Sequence, residues 1–254
     1  DVCGGTSVYV STNGNDASTG LTEGAAVKSI SKAVEIASSK NATKILLKRG
    51  ESYGPLNLSS VAGRSSADRI IISTYGSGAR PIVSSGGTTA GILTSSNTKN
   101  IAIIGLHVKG QDAQKFGIQI NDGGQQNILI EDCYIENYQV GISINGTDSR
   151  AVQNIVIRRS IIANNEPNDS GAHSQGLYAD KASGLLLEEN TFYNNGKLFS
   201  GAGSTYFNHN IYLTGDTSNV VVKGNIIANG SSHGLQARSG GDITNNLFLN
   251  NPLD

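Results

Sequence analysis

Asn100-Ile-Ala-Ile-Ile-Gly-Leu-His-Val-Lys-Gly110 carries the pattern that decides the fold: a turning residue, an apolar triplet, two or three polar residues, a second apolar stretch, then Asn or Gly. Downstream it recurs as Asn127-Ile-Leu-Ile-Glu-Asp-Cys-Tyr-Ile-Glu-Asn137 and Asn154-Ile-Val-Ile-Arg-Arg-Ser-Ile-Ile-Ala-Asn164. Further copies are Gly184-Leu-Leu-Leu-Glu-Glu-Asn-Thr-Phe-Tyr-Asn194, Asn219-Val-Val-Val-Lys-Gly-Asn-Ile-Ile-Ala-Asn229 and Gly240-Gly-Asp-Ile-Thr-Asn-Asn-Leu-Phe-Leu-Asn250. Their starts lie 27, 27, 30, 35 and 21 residues apart. No copy can bury its own apolar face, so the copies must stack into one continuous core. A second element follows the first five: Gly117-Ile-Gln-Ile-Asn121, Gly141-Ile-Ser-Ile-Asn145, Gly176-Leu-Tyr-Ala-Asp180, Asn210-Ile-Tyr-Leu-Thr214 and Gly234-Leu-Gln-Ala-Arg238. These alternate apolar and polar at period two, one side inward and one outward. Two or three strands per turn make a coil of parallel β-helix.

One column tests this register. The sixth residue after each start is Leu106, Cys133, Ser160, Asn190, Asn225 and Asn246. An inward column ending in three Asn predicts a ladder of stacked amides that satisfies bent backbone at a turn. Composition agrees with an all-β chain. Among 254 residues there are 32 Gly, four Pro, no Met and no Trp, with 37% hydrophobic and 15% charged. That is rich in turn formers and poor in helix formers.

The expected organisation is one domain over 1–254, with an N-terminal strand and capping helix in 1–43 and rungs over 44–254. Val8-Tyr9-Val10 reads as a strand. Ala25 to Ser39 reads as an amphipathic helix with Val27, Ile30, Val34 and Ala37 on one face, placed to cover the open end of the solenoid. Lys44 to Tyr53 and Arg69 to Val83 read as the first rungs. Cys133, inward, is expected to be a free buried thiol and not bonded to Cys3. A net charge of −1 without a basic stripe argues against nucleic acid as partner. No apolar run approaches the roughly 20 residues that span a bilayer, so no membrane partner is expected. A chain opening at Asp1 fits a product matured by signal removal or a fragment boundary. The apolar stretch before Asn250 ends without a polar cap, so further rungs or another chain are expected to cover the C-terminal end.

Tyr9-Val-Ser11, Ala33-Val-Glu-Ile-Ala37, Lys48-Arg-Gly-Glu-Ser-Tyr53 and Tyr75-Gly-Ser-Gly-Ala-Arg-Pro-Ile-Val83 resemble the pectate-lyase-like superfamily, and the resemblance covers nearly the whole chain. It implies a right-handed parallel β-helix solenoid, a polysaccharide partner and a secreted, cell-surface or periplasmic location. Members include lyases, hydrolases, uronate epimerases, tailspikes and adhesins, so fold alone does not select an activity.

The candidate site follows from loop length and outward columns. Segments 165–175 and 195–209 are long and enter the second strand from the same edge. The outward columns there read Gln119, Ser143, Tyr178, Tyr212, Gln236, then Asn121, Asn145, Asp180, Thr214, Arg238, and, before the strand, Phe116, Val140, Gln175, His209, His233. With rungs about 4.8 Å apart, His209, Tyr212, His233 and Arg238 are the expected catalytic residues. His173, Tyr178, Asp180, Lys181 and Gln236 are the expected substrate-binding residues. His107 is expected to be structural. No outward Asp pair of the polygalacturonase kind is visible, since Glu131-Asp132 and Glu188-Glu189 lie on another strand and Asp180 has no evident acidic partner. Tyr178-Ala-Asp-Lys181 is only loosely like the epimerase segment. No metal site is expected, although the resemblance leaves calcium open through Asp180. These parts fit β-elimination on a uronate polymer: Arg for the carboxylate, His and Tyr for the protons. The alternatives are a non-catalytic carbohydrate-binding spike or adhesin and a uronate C5-epimerase.

Overall fold

A computed structural model of the protein describes residues 5–87, 89–167, 173–196 and 205–253, excluding the side chains of 112–114. It is a right-handed parallel β-helix with one α-helix, near its N-terminal end. Two parallel sheets run its length. The first, of nine strands, starts at Ser7–Val10 and Lys44–Lys48, continues through the first halves of the repeats and ends at Asp242–Thr244. The second, of thirteen strands, holds the later strands of each coil, including Gln175–Asp180, His209–Leu213 and Leu235–Ala237. Ile101, Ile128, Ile155, Leu185 and Val220 align one above another, as do Ile118, Ile142, Leu177, Ile211 and Leu235. All belong to a single continuous core.

The chain turns at recurrent left-handed positions. Asn100, Asn127, Asn154 and Asn219 open their copies with φ between 53° and 55°, and Gly184 takes the same place at 75°. Asn tolerates this region better than other side chains, and Gly enters it freely, hence the turning residue at each start. The Asn side chains also stack, Asn127 Nδ2 donating to Asn100 Oδ1 at 2.7 Å and Asn154 Nδ2 to Asn127 Oδ1 at 3.1 Å.

Inside, the expected column is present. Cys133 N donates to Ser160 Oγ, Ser160 N to Asn190 Oδ1, Asn190 N to Asn225 Oδ1 and Asn225 N to Asn246 Oδ1, all at 2.9–3.1 Å. The amide nitrogens of Asn190 and Asn225 donate to the next Asn oxygen as well. Cys133 is free and buried, and burial pushes its thiol up to about 11. Cys3 lies outside the described residues.

A second ladder, not anticipated, lines the next bend. Tyr138 N donates to Asn165 Oδ1, and Asn165 Nδ2 to Asn195 Oδ1. The same position in the following rung is Gly230, and Asn210 fills the gap from the neighbouring strand. Its Oδ1 accepts from Asn195 Nδ2 at 2.8 Å, and its Nδ2 donates to Ala228 O at 3.0 Å and Asn251 Oδ1 at 3.1 Å. The strand positions matching Asn210 in earlier coils include Gly141 and Gly176, where the carbonyl of the next coil, 2.6 Å from an added Cβ in each case, and the ladder amide leave no room for a side chain. A Cβ at Gly176 would sit 2.7 Å from Asn195 Nδ2, and one at Gly141 2.8 Å from Asn165 Nδ2. Conversely, a Cβ on Gly230 would sit 3.0 Å from Asn210 Nδ2. Gly and Asn have exchanged places across one rung.

The N-terminal helix is shorter than expected. It spans Ile30–Ser39, and its cap Ser29 accepts from Lys32 N. Val27 lies before it in a parallel bridge to Val10, so its place on the apolar spacing is strand packing, not helix. Ala33, Ile36 and Ala37 are buried, and Ile30 and Val34 pack on the core. At the other end Ile243, aligned with fully buried Val222, remains 40% exposed. No helix among the described residues is long and apolar enough to cross a membrane.

The exchange predicts a double-mutant cycle. Asn210→Gly alone should cost about 3 kcal/mol, because buried amide and carbonyl groups lose their partners. Asn210→Gly with Gly230→Asn should recover most of it, read as the urea midpoint. A double variant no more stable than the single would show that the two positions do not share one ladder slot.

Candidate functional site

The strand His209–Leu213 is the centre of the candidate site. Asn210 and Ile211 are both wholly buried, so strict alternation fails at its start. The side chain of Asn210 goes to the ladder, and His209 is left beside the outward column. Tyr212 returns to alternation, aligned between Tyr178 and Gln236. The Tyr178 and Tyr212 rings lie 5.7 Å apart at 60°, and the His209 ring lies 5.2 Å from Tyr212 and 4.9 Å from His233. Arg238 Nη1 donates to Tyr212 Oη at 3.1 Å. His209, Tyr212, His233 and Arg238, read from four separated sequence positions, thus occupy one patch.

His209 is not a surface residue, contrary to its expected place on an outward column. It is 2% exposed. Burial, then the nearby His233 and His173, lowers its pKa to about 4. The roof comes from the loop before it. Ser232 Oγ, also buried, lies 3.0 Å from the Tyr206 carbonyl, 2.9 Å from His233 Nδ1 and 3.4 Å from His209 Nδ1. A carbonyl only accepts, so Ser232 Oγ donates its proton to Tyr206 O, and its oxygen faces both Nδ1 atoms. Ser232 and Tyr206 were missed in the sequence because Ser and Tyr within turns carry no periodic signal.

Of the remaining expected residues, His173 is exposed and stacks on Phe207 at 4.8 Å. Tyr178 is half-buried, and burial, then the Asp180 charge, raises its pKa, which makes it a poor proton acceptor. Gln236 stands in register with Tyr212. Asp180 accepts from Thr214 Oγ1 at 2.5 Å and lies 3.7 Å from Lys181 Nζ. Its lack of acidic company is corrected: Asp148, 3.1 Å from Lys181 Nζ, and Asp216 join Asp180 in raising the lysine pKa. The Lys181 ammonium therefore sits between the Asp148 and Asp180 carboxylates, where a cation would be sought. Among the described residues no three His, Cys, Asp or Glu side chains are grouped to hold a metal. Parts of the two long loops, 168–172 and 197–204, lie outside the described residues.

His107 belongs elsewhere. Its ring stacks on Tyr134 at 4.7 Å, and its Nε2 lies 2.9 Å from Glu136 Oε1. Burial pushes Glu136 up, but hydrogen bonds from Tyr134 and His107 and the charges of His107 and Lys109 outweigh it and hold the carboxyl below its usual value. Each partner is satisfied, as a structural cluster requires.

A parallel coil whose later turns carry His, Tyr and Arg side chains on one face defines a β-helix with a lateral candidate site. The chain belongs to the family described as the right handed beta helix region, whose model matches residues 85–253. Among solved structures it is similar to an alginate lyase from Paenibacillus sp. str. FPU-7, 17% identical, with a TM-score of 0.64 over 86% of this chain and 74% of that one. It is also similar to the GH136 lacto-N-biosidase from Eubacterium ramulus, 14% identical, with a TM-score of 0.40 over 96% of this chain and 67% of that one. No curated protein matches. At these identities the likeness concerns the fold.

The buried imidazole gives a signed pH prediction. The folded-state pKa of His209 lies below the ordinary 6.5, so folding holds the ring neutral. Its contribution is intact above 6.5, is lost as pH falls toward about 4 and levels off below that. The loss amounts to roughly 3 kcal/mol. Urea unfolding between pH 7 and 4 should show it, and His209→Gln should remove that part of the slope. An unchanged slope in the variant would assign the acid sensitivity to other groups.

Proposed function

We propose that the protein acts on a uronate-containing polysaccharide and cleaves it by β-elimination. The observation that carries this reading is the Arg238–Tyr212 hydrogen bond beside the two histidines. Because the Tyr212 oxygen accepts from arginine, its own proton is free to point into the cleft. Arg238, exposed, and Gln236, in register with Tyr212, meet the substrate carboxylate and stabilise the charge that develops when the C5 proton leaves. His233, half-buried and held through Nδ1 at 2.9 Å from Ser232 Oγ, takes that proton. The C4–O bond breaks as the C4–C5 double bond forms, and Tyr212 protonates the departing oxygen. His209 is too buried to touch substrate and acts as packing behind Tyr212. Tyr178 and His173 contact neighbouring sugar units, with Asp180 and Lys181 beyond them. On this reading the protein is secreted or works at the cell surface or in the periplasm, where such polymers are met.

The test is absorbance from unsaturated chain ends on incubation with alginate and with polygalacturonate. Tyr212→Phe should lower the rate about 100-fold or more, and Arg238→Gln should weaken substrate capture and turnover together. Full activity in Tyr212→Phe would remove the assignment. Binding without any new absorbance would favour the carbohydrate-binding alternative, and inverted uronates by NMR without cleavage the epimerase.

A further inference from the structure

Tyr206 is the most exposed large hydrophobic side chain among the described residues, at 69%, and Phe207 beside it is 45% exposed. Their ring centroids are 4.1 Å apart, and the imidazole of His173 lies 4.8 Å from Phe207, tilted by 28°. Three aromatic rings thus form a short stack at the edge of the candidate site, with Phe207 in contact with both others and Tyr206 the most exposed.

The stack is held outward by buried polar groups. Gln175 Nε2 donates to Phe207 O at 3.0 Å, and Ser232 Oγ donates to Tyr206 O at 3.0 Å. Asn208 follows directly: its Nδ2 donates to Gly196 O at 3.0 Å, and its Oδ1 accepts from Ser174 N at 3.1 Å. Gln175, Asn208 and Ser232 are all buried. The backbone of both aromatic residues is therefore tied to neighbouring coils while their rings remain in water. Two adjacent aromatic rings free to choose would turn inward and bury apolar area. Pinned outward and pre-ordered, they lose little entropy on binding. The same Ser232 hydroxyl meets His233 and His209, so the stack adjoins the proton-transfer groups.

We propose that Tyr206, Phe207 and His173 form a stacking subsite for a carbohydrate chain, taking the C–H-rich face of a pyranose unit next to the unit held at Tyr212. A pyranose ring presents an apolar face and a polar rim, which fits the largely exposed Tyr206 ring at the end of this stack, with polar groups beside it. The proposal rests on the polysaccharide reading of this cleft but not on the elimination chemistry.

Tyr206→Ala/Phe207→Ala, altered at exposed positions, should keep the urea midpoint of the wild type. Calorimetric titration with oligomers of alginate, polygalacturonate and a neutral β-glucan should give at least tenfold weaker binding of whichever oligomer the wild type takes. Ser232→Ala, which unties the Tyr206 carbonyl, should weaken the same binding to a lesser degree. Unchanged affinity in the double variant overturns the subsite and leaves the elimination reading standing. Weakened binding with no unsaturated product in the wild type sustains the subsite and removes the lyase. A wild type that binds none of the oligomers, or that self-associates through these rings, overturns both the subsite and the carbohydrate reading.

Discussion

At each bend of a β-helix the backbone leaves its sheet while still inside the coil, and its N–H groups there must be hydrogen-bonded without water. In this chain the Asn side chain answers that demand. An amide both accepts and donates, so one residue can take the N–H of the coil before it and pass a hydrogen bond to the next. The column through Asn190, Asn225 and Asn246 does this at one bend, and that through Asn165, Asn195, Asn210 and Asn251 does it at another. Earlier coils carry Leu106, Cys133 and Ser160 at the first bend, all buried, and of these the serine hydroxyl takes over the amide's part by accepting from Cys133 N. Where the ladder runs, loss of an amide would leave buried backbone groups unpaired, each costing about 1–3 kcal/mol.

The second ladder also shapes the candidate site. Where glycine lies in the strand, as at Gly141 and Gly176, the amide comes from the bend and the outward column starts with Val140 or Gln175. Where Asn210 supplies the amide, the strand carries a side chain inward at that point, and the residue before it is His209. The ring of His209 is then enclosed by Tyr212, His233, Ser232 and the loop ending at Asn208. Val140 and Gln175, aligned with His209, are buried as well, so this position is enclosed in each of these coils, and in the last of them it brings an imidazole beside a phenol.

The repeat was legible because its strands keep a period of two and its turns keep Asn or Gly at fixed offsets. From that register alone Tyr178, Tyr212 and Gln236 fell into one column, as did Leu106 to Asn246. The second ladder was not legible, since it passes from one strand to another at Asn210 and so has no constant offset. The helix start was misread because Val27 obeys helical spacing while pairing with Val10 as strand. Only the cap at Ser29, accepting from Lys32 N, separates the two readings. The acidic neighbours of Lys181 and the hydroxyl of Ser232 were hidden for one reason: both arise in turns, where contact depends on how the loop closes and not on periodicity.

A solenoid usually separates its fold from its chemistry, because inward columns make the core and outward columns are free to vary. That separation holds over most of this chain: Gln119, Ser143, Tyr178, Tyr212 and Gln236 share one register with different side chains and the same neighbours beneath. It fails at His209 and Asn210, where adjacent residues serve the candidate site and the ladder. Substitution at either must change both, since an enlarged residue at 209 meets the loop roof and a smaller one at 210 opens the bend. The same stretch therefore joins a structural constraint inside the coil to a group of ionisable side chains outside it. Function-bearing side chains placed there gain rigid positions, and the fold gains there a sensitivity to acid that comes from a buried neutral imidazole, where earlier coils owe theirs to paired carboxylates such as Glu131 and Glu136.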